Sequence, residues 1–389
     1  MDYKSLRDEY GSFLYPLIEV QVADHSMTAG DDRKLKIGVS DVSVELTAGY
    51  EASQAVFTLY RVYDYKNARF LTDKVKEFIL LGSPVKIYMG YKAKVTEVFR
   101  GVITKINFHA EEDEFAGIRV TAMDVKAVMM ANRYEKRLKA QFYSRAVEEI
   151  FKQNIYDHFK NKLKVVSEYK ISDTPDCPPP GTPEQENKTD RTVEMVGESD
   201  YEFVVKVAKK FNYEFFVLGG TVYFRPAKAD QTDQITIEPG FKIVSLDVEY
   251  DLTGLVDNIE VRGLDVSKGK IVNAKKENKN KLSLGNKASP LIDGSKFVYV
   301  DPTVSAAADA EYRLNYLFEN MTYRYGTLEL SMVGIPDILP GRYIRIDELG
   351  DAVSNRFYVQ SVRHTMTRDG DYLTHIVGKA DKQDPGGLI

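Results

Sequence analysis

Residues 82–124 read GSPVKIYMGYKAKVTEVFRGVITKINFHAEEDEFAGIRVTAMD, and residues 341–381 read GRYIRIDELGDAVSNRFYVQSVRHTMTRDGDYLTHIVGKAD. Each stretch opens on a glycine, Gly82 or Gly341, and runs through a short strand, a polar turn and a long strand ending near a histidine, His109 or His364. A charged turn and a last strand closing on Asp124 or Asp381 complete both. Apolar and polar residues alternate along the strands, the period of a sheet with one buried face. Identity is low, but the order of elements recurs, with a helix predicted upstream of each copy. The pattern reads as a duplication that sets a similar β unit at each end of the chain.

Outward from the first copy, Ile18, Val20 and Val22, then Val42, Val44 and Leu46, then Ala55, Phe57 and Leu59 keep the period of two. Leu71, Val75, Phe78 and Ile79 predict a short amphipathic helix, stopped by Gly82-Ser83-Pro84. The middle of the chain changes character. Val147, Ile150, Phe151, Ile155 and Phe159 predict a helix capped by Ser144, and residues 171–197 are a polar, Pro-rich surface loop. Ser199-Asp200-Tyr201-Glu202 is a capping box, opening a helix that buries Phe203, Val204, Val207, Ala208 and Phe211. Tyr213–Leu218, Gly219-Gly220 and Thr221–Arg225 form a hairpin. Strands return at Ile243–Tyr250 and Asn258–Arg262. Lys268–Lys281, with six lysines and one glutamate, reads as a solvated loop. Asp301-Pro302 suits the start of a helix at about 303–318, and strands follow at Tyr323–Val333, Tyr343–Asp347, Arg356–His364 and Tyr372–Val377.

The composition limits the chemistry. With 53 basic and 58 acidic residues the net charge is −5, so the chain lacks the basic excess that phosphate neutralisation requires, and nucleic acid is not its primary ligand. No apolar run reaches the ~20 residues of a membrane span, and Met1-Asp2-Tyr3-Lys4 does not open a signal peptide. Five histidines and the single Cys177 make no zinc spacing and no internal disulfide. No nucleophile elbow, HExxH or dinucleotide fingerprint occurs. Gly263 to Gly269-Lys270 has one residue too many for a phosphate loop, and Ile271 stands where a magnesium-binding hydroxyl belongs. Glu111–Glu114 is an acidic turn without the fixed separation that paired catalytic carboxylates need. The expectation is therefore no catalytic residue, no cofactor and no metal. The 25 tyrosines, in a chain without tryptophan, suit core packing and a large interface.

The segment Val193–Phe203, VEMVGESDYEF, resembles the Glu-Ser-Asp-x-x-Phe helix start of the phage late-control protein D family, the central baseplate hubs of contractile tails. Its Gly-rich hairpin follows at Phe215–Phe224. Leu339-Pro340-Gly341, Tyr358–His364 and Gly370–Thr374 resemble the family's terminal Pro-Gly, Val-x-x-His and Gly-x-Tyr-x-Thr pattern, and the Ala-rich helix near Ser305–Leu317 agrees in position. The order of these pieces, over nearly the whole chain, carries the resemblance. The hub portion of type VI secretion spike proteins is similar. Carried onto this sequence, the motif residues are Glu198, Ser199, Asp200, Glu202, Phe203, Gly341, His364, Tyr372 and Thr374. Ser199 and Glu202 already have a structural explanation as a cap, Gly341 as a turn glycine, and His364 as a packed side chain.

The resemblance implies a β-rich α+β fold of two tail-tube-like β-barrels, each with a short helix, separated by an α/β domain. The divisions are 1–130, 131–235 and 236–389. It further implies a non-enzymatic homotrimer whose six similar barrels join a sixfold inner tube, or its initiator protein, to a trimeric central spike. Tape-measure and baseplate wedge proteins are further expected partners. The strand Tyr343, Ile344, Arg345, Ile346 and Asp347 is the candidate tube interface. Spike-bearing relatives continue into a further barrel and a needle, whereas this sequence ends at Asp384–Ile389, so a stand-alone hub with a separate spike is expected. Assembly in the bacterial cytoplasm, into a virion tail or a related particle, follows. A tail-tip carbohydrate-binding module is the alternative, and a cell-wall hydrolase a weaker one.

Overall fold

The computed structural model describes residues 3–27, 37–111, 116–131, 133–178, 192–266, 268–280, 282 and 287–383. After a short helix α1 (Tyr3–Glu9), the first β unit consists of β1 (Pro16–Val22), β2 (Gly38–Thr47), β3 (Gln54–Tyr60), β4 (Pro84–Tyr91), β5 (Lys94–His109) and β6 (Gly117–Met123). The middle segment contains β7 (Tyr134–Arg137), α2 (Tyr143–Phe151), α3 (Asn154–Asn161), β8 (Glu168–Ile171), β9 (Glu194–Glu198), α4 (Asp200–Phe211), β10 (Tyr213–Leu218) and β11 (Thr221–Pro226). Then come β12 (Asp233–Ile237), β13 (Ile243–Tyr250), β14 (Asn258–Asp265), β15 (Lys270–Glu277), β16 (Lys296–Val300), α5 (Ala307–Thr322), β17 (Gly326–Val333), β18 (Tyr343–Ile346), β19 (Asn355–Met366) and β20 (Tyr372–Ala380). The chain is β-rich α+β.

The first unit has strand order β2-β3-β6-β5-β4-β1, and the second has order β13-β17-β20-β19-β18-β12. The two orders correspond element by element, which bears out the repeat. A constant shift of 256 residues converts the Val102–Met123 and Lys105–Thr121 pairings of the first hairpin into Tyr358–Lys379 and Ser361–Val377 of the second. The glycines that open the two copies are equivalent down to their hydrogen bonds. Gly82 (φ +86) donates its N–H to Ile103 O at 2.8 Å, and Gly341 (φ +83) donates to Val359 O at 2.9 Å. Both need the left-handed backbone that glycine adopts without penalty. The register moves one detail: His364 corresponds to Phe108, and His109 to Thr365, so the two histidines are not equivalent. One pairing breaks the parallel, since β1 meets β4 antiparallel while β12 meets β18 parallel.

The two units do not stand apart. β19 pairs antiparallel with β2, from Ser361–Thr47 to Met366–Val42, so hydrogen bonding runs without a break through one 13-stranded sheet. Beneath it lies one continuous apolar core, with Val44, Phe57, Val120 and Ile118 from the first unit and Leu328, Phe357, Val362 and Ile376 from the second. A separate core is built where α2 and α4 cover β10 and β11, around Val147, Ile150, Phe203, Val207 and Phe215. A third, small core joins α5 to β14 through Ile259, Val261 and Leu314.

Several local expectations shift. The apolar set Val75, Phe78 and Ile79 is buried as predicted, but a single 3-10 turn, Thr72–Lys74, replaces the helix, because Val75 leaves helical geometry at φ −128°. The helix expected from Ser144 is two helices. Gln153 is extended, which resets the phase, so Tyr156 and Phe159 are buried while Ile155 faces solvent. Phe142, not Ser144, occupies the cap position, and Ser144 is itself buried within α2. The Lys-rich segment is a strand, β15, paired along its length with β14. Its charges survive in a sheet because the edge strand leaves Lys270, Lys275 and Lys276 at the surface. The helix expected at 303–318 starts about a turn later, with Ala306 at its cap; Asp301 instead accepts from Thr303 N–H and pairs with Arg313. Of the acidic turn, Glu112–Glu114 lie outside the described residues, as do residues 179–191 of the long loop and Asp384–Ile389.

Candidate assembly interface

The motif residues at 198–203 hold the middle segment together. Ser199 Oγ accepts from Glu202 N–H at 3.1 Å and Glu202 Oε2 accepts from Ser199 N–H at 2.8 Å, the predicted reciprocal cap. The backbone bond holds the Glu202 carboxyl below the usual range, helped by Arg133. Asp200, at the first turn of α4, accepts from the hydroxyls of Tyr134 and Tyr156, tying α4 to β7 and α3. Glu198 pairs with Lys206, and Phe203 is fully buried. All five are occupied in folding.

The C-terminal motif residues form a second buried group. His364 lies inside the core, its Nδ1 3.1 Å from Thr374 Oγ1 and 3.3 Å from the Tyr372 hydroxyl. Thr374 Oγ1 also accepts from Ile335 N–H, fixing the strand connection beside it. Burial drives the His364 pKa down to about 4, so the ring is neutral near pH 7. It is a structural polar knot, and solvent does not reach it.

The candidate tube strand is placed differently from an open edge. β18 pairs with β12 on one side and β19 on the other, and Tyr343, Ile344 and Ile346 are buried. Its backbone has no unpaired row to offer; Arg345 and Asp347 remain half-exposed.

The open edges lie elsewhere, and periodicity alone did not reveal them. Beyond Ile103, β5 pairs only with β6, so among the described residues its other side, from Thr104 to His109, meets no strand. Among the described residues β13 pairs only with β17 and ends the sheet. Both strands keep apolar residues on the core face although that face is incompletely covered. Phe108 is 48% exposed, and Leu246, Val248 and Tyr250 are half-buried. Their counterparts at the internal junction, His364, Val42, Val44 and Leu46, are buried. The missing signal was topological: which strand is an edge depends on pairings far apart in sequence.

A polar seam lies between the middle segment and the second unit. Glu214, buried, accepts from the Tyr358 hydroxyl and pairs with Arg225, while Lys228 pairs with Glu319. Burial pushes the Glu214 carboxyl up, but these charges are spent on one another. Among the described residues no three His, Cys, Asp or Glu side chains are placed to hold a metal, and no helix is long and apolar enough to cross a membrane.

The fold is shared with phage tail proteins. A tail protein from Neisseria meningitidis MC58 superposes with a TM-score of 0.65 at 11% identity, covering 94% of this chain and 97% of its own. The 43 kDa tail protein of prophage MuSo2 from Shewanella oneidensis gives 0.66 at 11% identity, with 94% and 98% covered. An Escherichia coli type VI secretion component, described as similar to the T4 tail proteins gp27 and gp5, gives 0.52 at 11% identity, with 95% and 80% covered. At such identities the likeness is one of fold. By sequence, a family model described as the Alg8 N-terminal domain matches residues 183–368, under half of the chain. That stretch omits β20, the strand between β17 and β19, so it does not hold the second sheet together. No curated protein matches the sequence.

Proposed function

We propose that this chain is a non-enzymatic structural hub of a phage-tail-like baseplate, three copies closing into a ring of six similar β units. One observation carries the reading: the two units share one strand order and are already joined in line through β19 and β2, as neighbouring members of a ring would be. Closed assemblies of repeated interfaces are the usual way such joints terminate. The divisions near 130 and 235 fit this reading.

The ring would have two unlike ends. The connections 124–232 and 251–325 both leave from the end where Met123 lies opposite Gln54 and Gly326 opposite Tyr250 and Ala380. At the other end both units close with hairpins of equal length, His109 opposite Gly117 and Thr365 opposite Leu373. Six near-equivalent hairpins suit a sixfold inner tube. The end bearing the insertions offers one of each per copy, a threefold set suited to a trimeric spike. Contacts with tape-measure and wedge proteins, and assembly in the bacterial cytoplasm, belong to the same proposal.

Native mass and electron-microscopy class averages of the purified full chain, alone and with its candidate spike, test it. Threefold rings with six inner lobes are expected. Monomers in both samples would overturn the hub reading and favour a tail-tip binding module.

A further inference from the structure

We infer that the open half of β5 in one copy adds to the β13 edge of a second copy as an antiparallel strand, with Phe108 opposite Val248 and His109 opposite Asp247. The inference rests on the ring reading and specifies its joint. The internal junction supplies the template, with Ser361 opposite Thr47, Arg363 opposite Glu45 and Thr365 opposite Ser43. The shift of 256 residues relates β5 to β19. A shift of 204 relates β2 to β13, because Val39–Leu59 and Ser43–Val56 correspond to Ile243–Met332 and Asp247–Glu329. Applying both to the template fixes every pair of the second junction without reference to side-chain chemistry.

The chemistry then agrees. On the core face, Ile106 falls opposite Tyr250, Phe108 opposite Val248, and Ala110 opposite Leu246. On the other face, Lys105 falls opposite Asp251, Asn107 opposite Glu249, and His109 opposite Asp247. Apolar meets apolar, and each carboxylate meets an ammonium, an amide or an imidazole. Cross-strand pairs of these kinds favour one register over its neighbours. A slip of one residue would set Phe108 against Asp247 or Glu249 and turn each apolar row toward a polar one. His109 Nδ1, buried, has no hydrogen-bond partner among the described residues of its own copy. Neither edge contains a proline, the common block to strand addition.

Cysteine pairing in the full-length chain tests the register, with Cys177→Ser to remove the native thiol. At the internal junction Ala48 N–H donates to Gln360 O, so Arg363 and Glu45 occupy a non-hydrogen-bonded position, where opposing Cα atoms are closest and a disulfide fits. The equivalent pair is Asn107→Cys with Glu249→Cys. Mild oxidation should give intermolecular dimers and trimers on a non-reducing gel, while the slipped pair Asn107→Cys with Val248→Cys should give at least tenfold less. Native mass of the reduced variants is read in parallel. Rings that cross-link at the slipped pair, or at neither, would overturn this register and leave the hub reading standing. Monomers that cross-link at neither pair would overturn both. A second variant, Phe108→Asp, should dissociate the ring while circular dichroism stays unchanged; intact rings would count against the joint.

Discussion

Replacing His364 with glutamine should remove a defined part of the chain's acid sensitivity. His364 is enclosed by Thr374, Tyr372 and core apolar residues, and burial lowers its pKa from 6.5 to about 4. A histidine depressed in the folded state binds its proton more readily once unfolded. Its contribution to stability is therefore complete above pH 6.5 and is lost as the pH falls toward 4. The difference of about 2.5 pH units corresponds to about 3 kcal/mol at 1.36 kcal/mol per unit. His375, also lowered by burial, and the carboxylates titrate in the same interval, so the quantity to compare is the difference between proteins. Urea unfolding of wild type and His364→Gln at pH 7.5, 6.0, 5.0 and 4.5 gives it. Glutamine keeps a polar group near Thr374, so the variant should be less stable at pH 7.5, and the gap should narrow by 2 kcal/mol or more by pH 4.5. Parallel curves would show that the buried ring is not the titrating group, and the account of this knot would fail.

Gly82→Ala and Gly341→Ala share the cost of a left-handed alanine, about 1 kcal/mol, but a Cβ at Gly341 would also lie 3.1 Å from Phe216 and Arg225, whereas nothing stands within 4 Å at Gly82. Chemical denaturation should rank Gly341→Ala the more destabilised; equal effects would mean the seam adjusts freely. Ser199→Ala should lower stability by about 1 kcal/mol and Ser199→Asp by much less, since either oxygen can accept from Glu202 N–H. Lys126→Met should cost about 3 kcal/mol or more, because the buried ammonium donates to the carbonyls of Gly49, Tyr50 and Glu51 and feels the charge of Asp124; a thermal midpoint near wild type would show water replacing it. Asp369→Lys, in the exposed turn between β19 and β20, should weaken tube docking in a pull-down while leaving ring mass unchanged; undiminished docking would argue against the assigned polarity.

The features legible from sequence are those decided by neighbours along the chain. The Ser199–Glu202 box and the Gly219-Gly220 hairpin each close within a few residues, and both glycines take the positive φ that the tight turn requires, +54° and +78°. The duplicated hairpins were legible because spacing survives where identity does not. Over the hairpins aligned by that shift, Arg100 with Arg356 and Asp113 with Asp369 are the identical pairs, yet no insertion disturbs the shift. What the sequence could not disclose was the partner of each strand. Lys268–Lys281 looked like a loop because its lysines mask the alternation of Val272 and Ala274, whose burial depends on α5, about forty residues on. The strand at 343–346 is assigned to an interface through the resemblance; pairing with β12 on one side and β19 on the other makes it interior.

The same distinction explains why the candidate interface is carried by inconspicuous residues. A duplicated unit with one strand order must present the same two edges twice. One pair of edges is consumed inside the chain by β19 and β2, where the equivalent positions hold buried Val42, Val44, Leu46 and Val362. The other pair keeps the alternation, with Phe108 and Tyr250 where the internal joint has His364 and Leu46, but sets Lys105, Asp247 and Asp251 where that joint has Ser361, Ser43 and Thr47. An edge that must stay soluble before assembly gains from such polarity, since an exposed, wholly apolar strand invites indiscriminate pairing. In the proposed ring the internal junction forms at the high effective concentration of one chain, whereas the external one would wait for a second copy. Difference in composition at equivalent positions is therefore what a ring built from a fused pair requires: one joint settled in folding, and one left polar enough to be made on encounter.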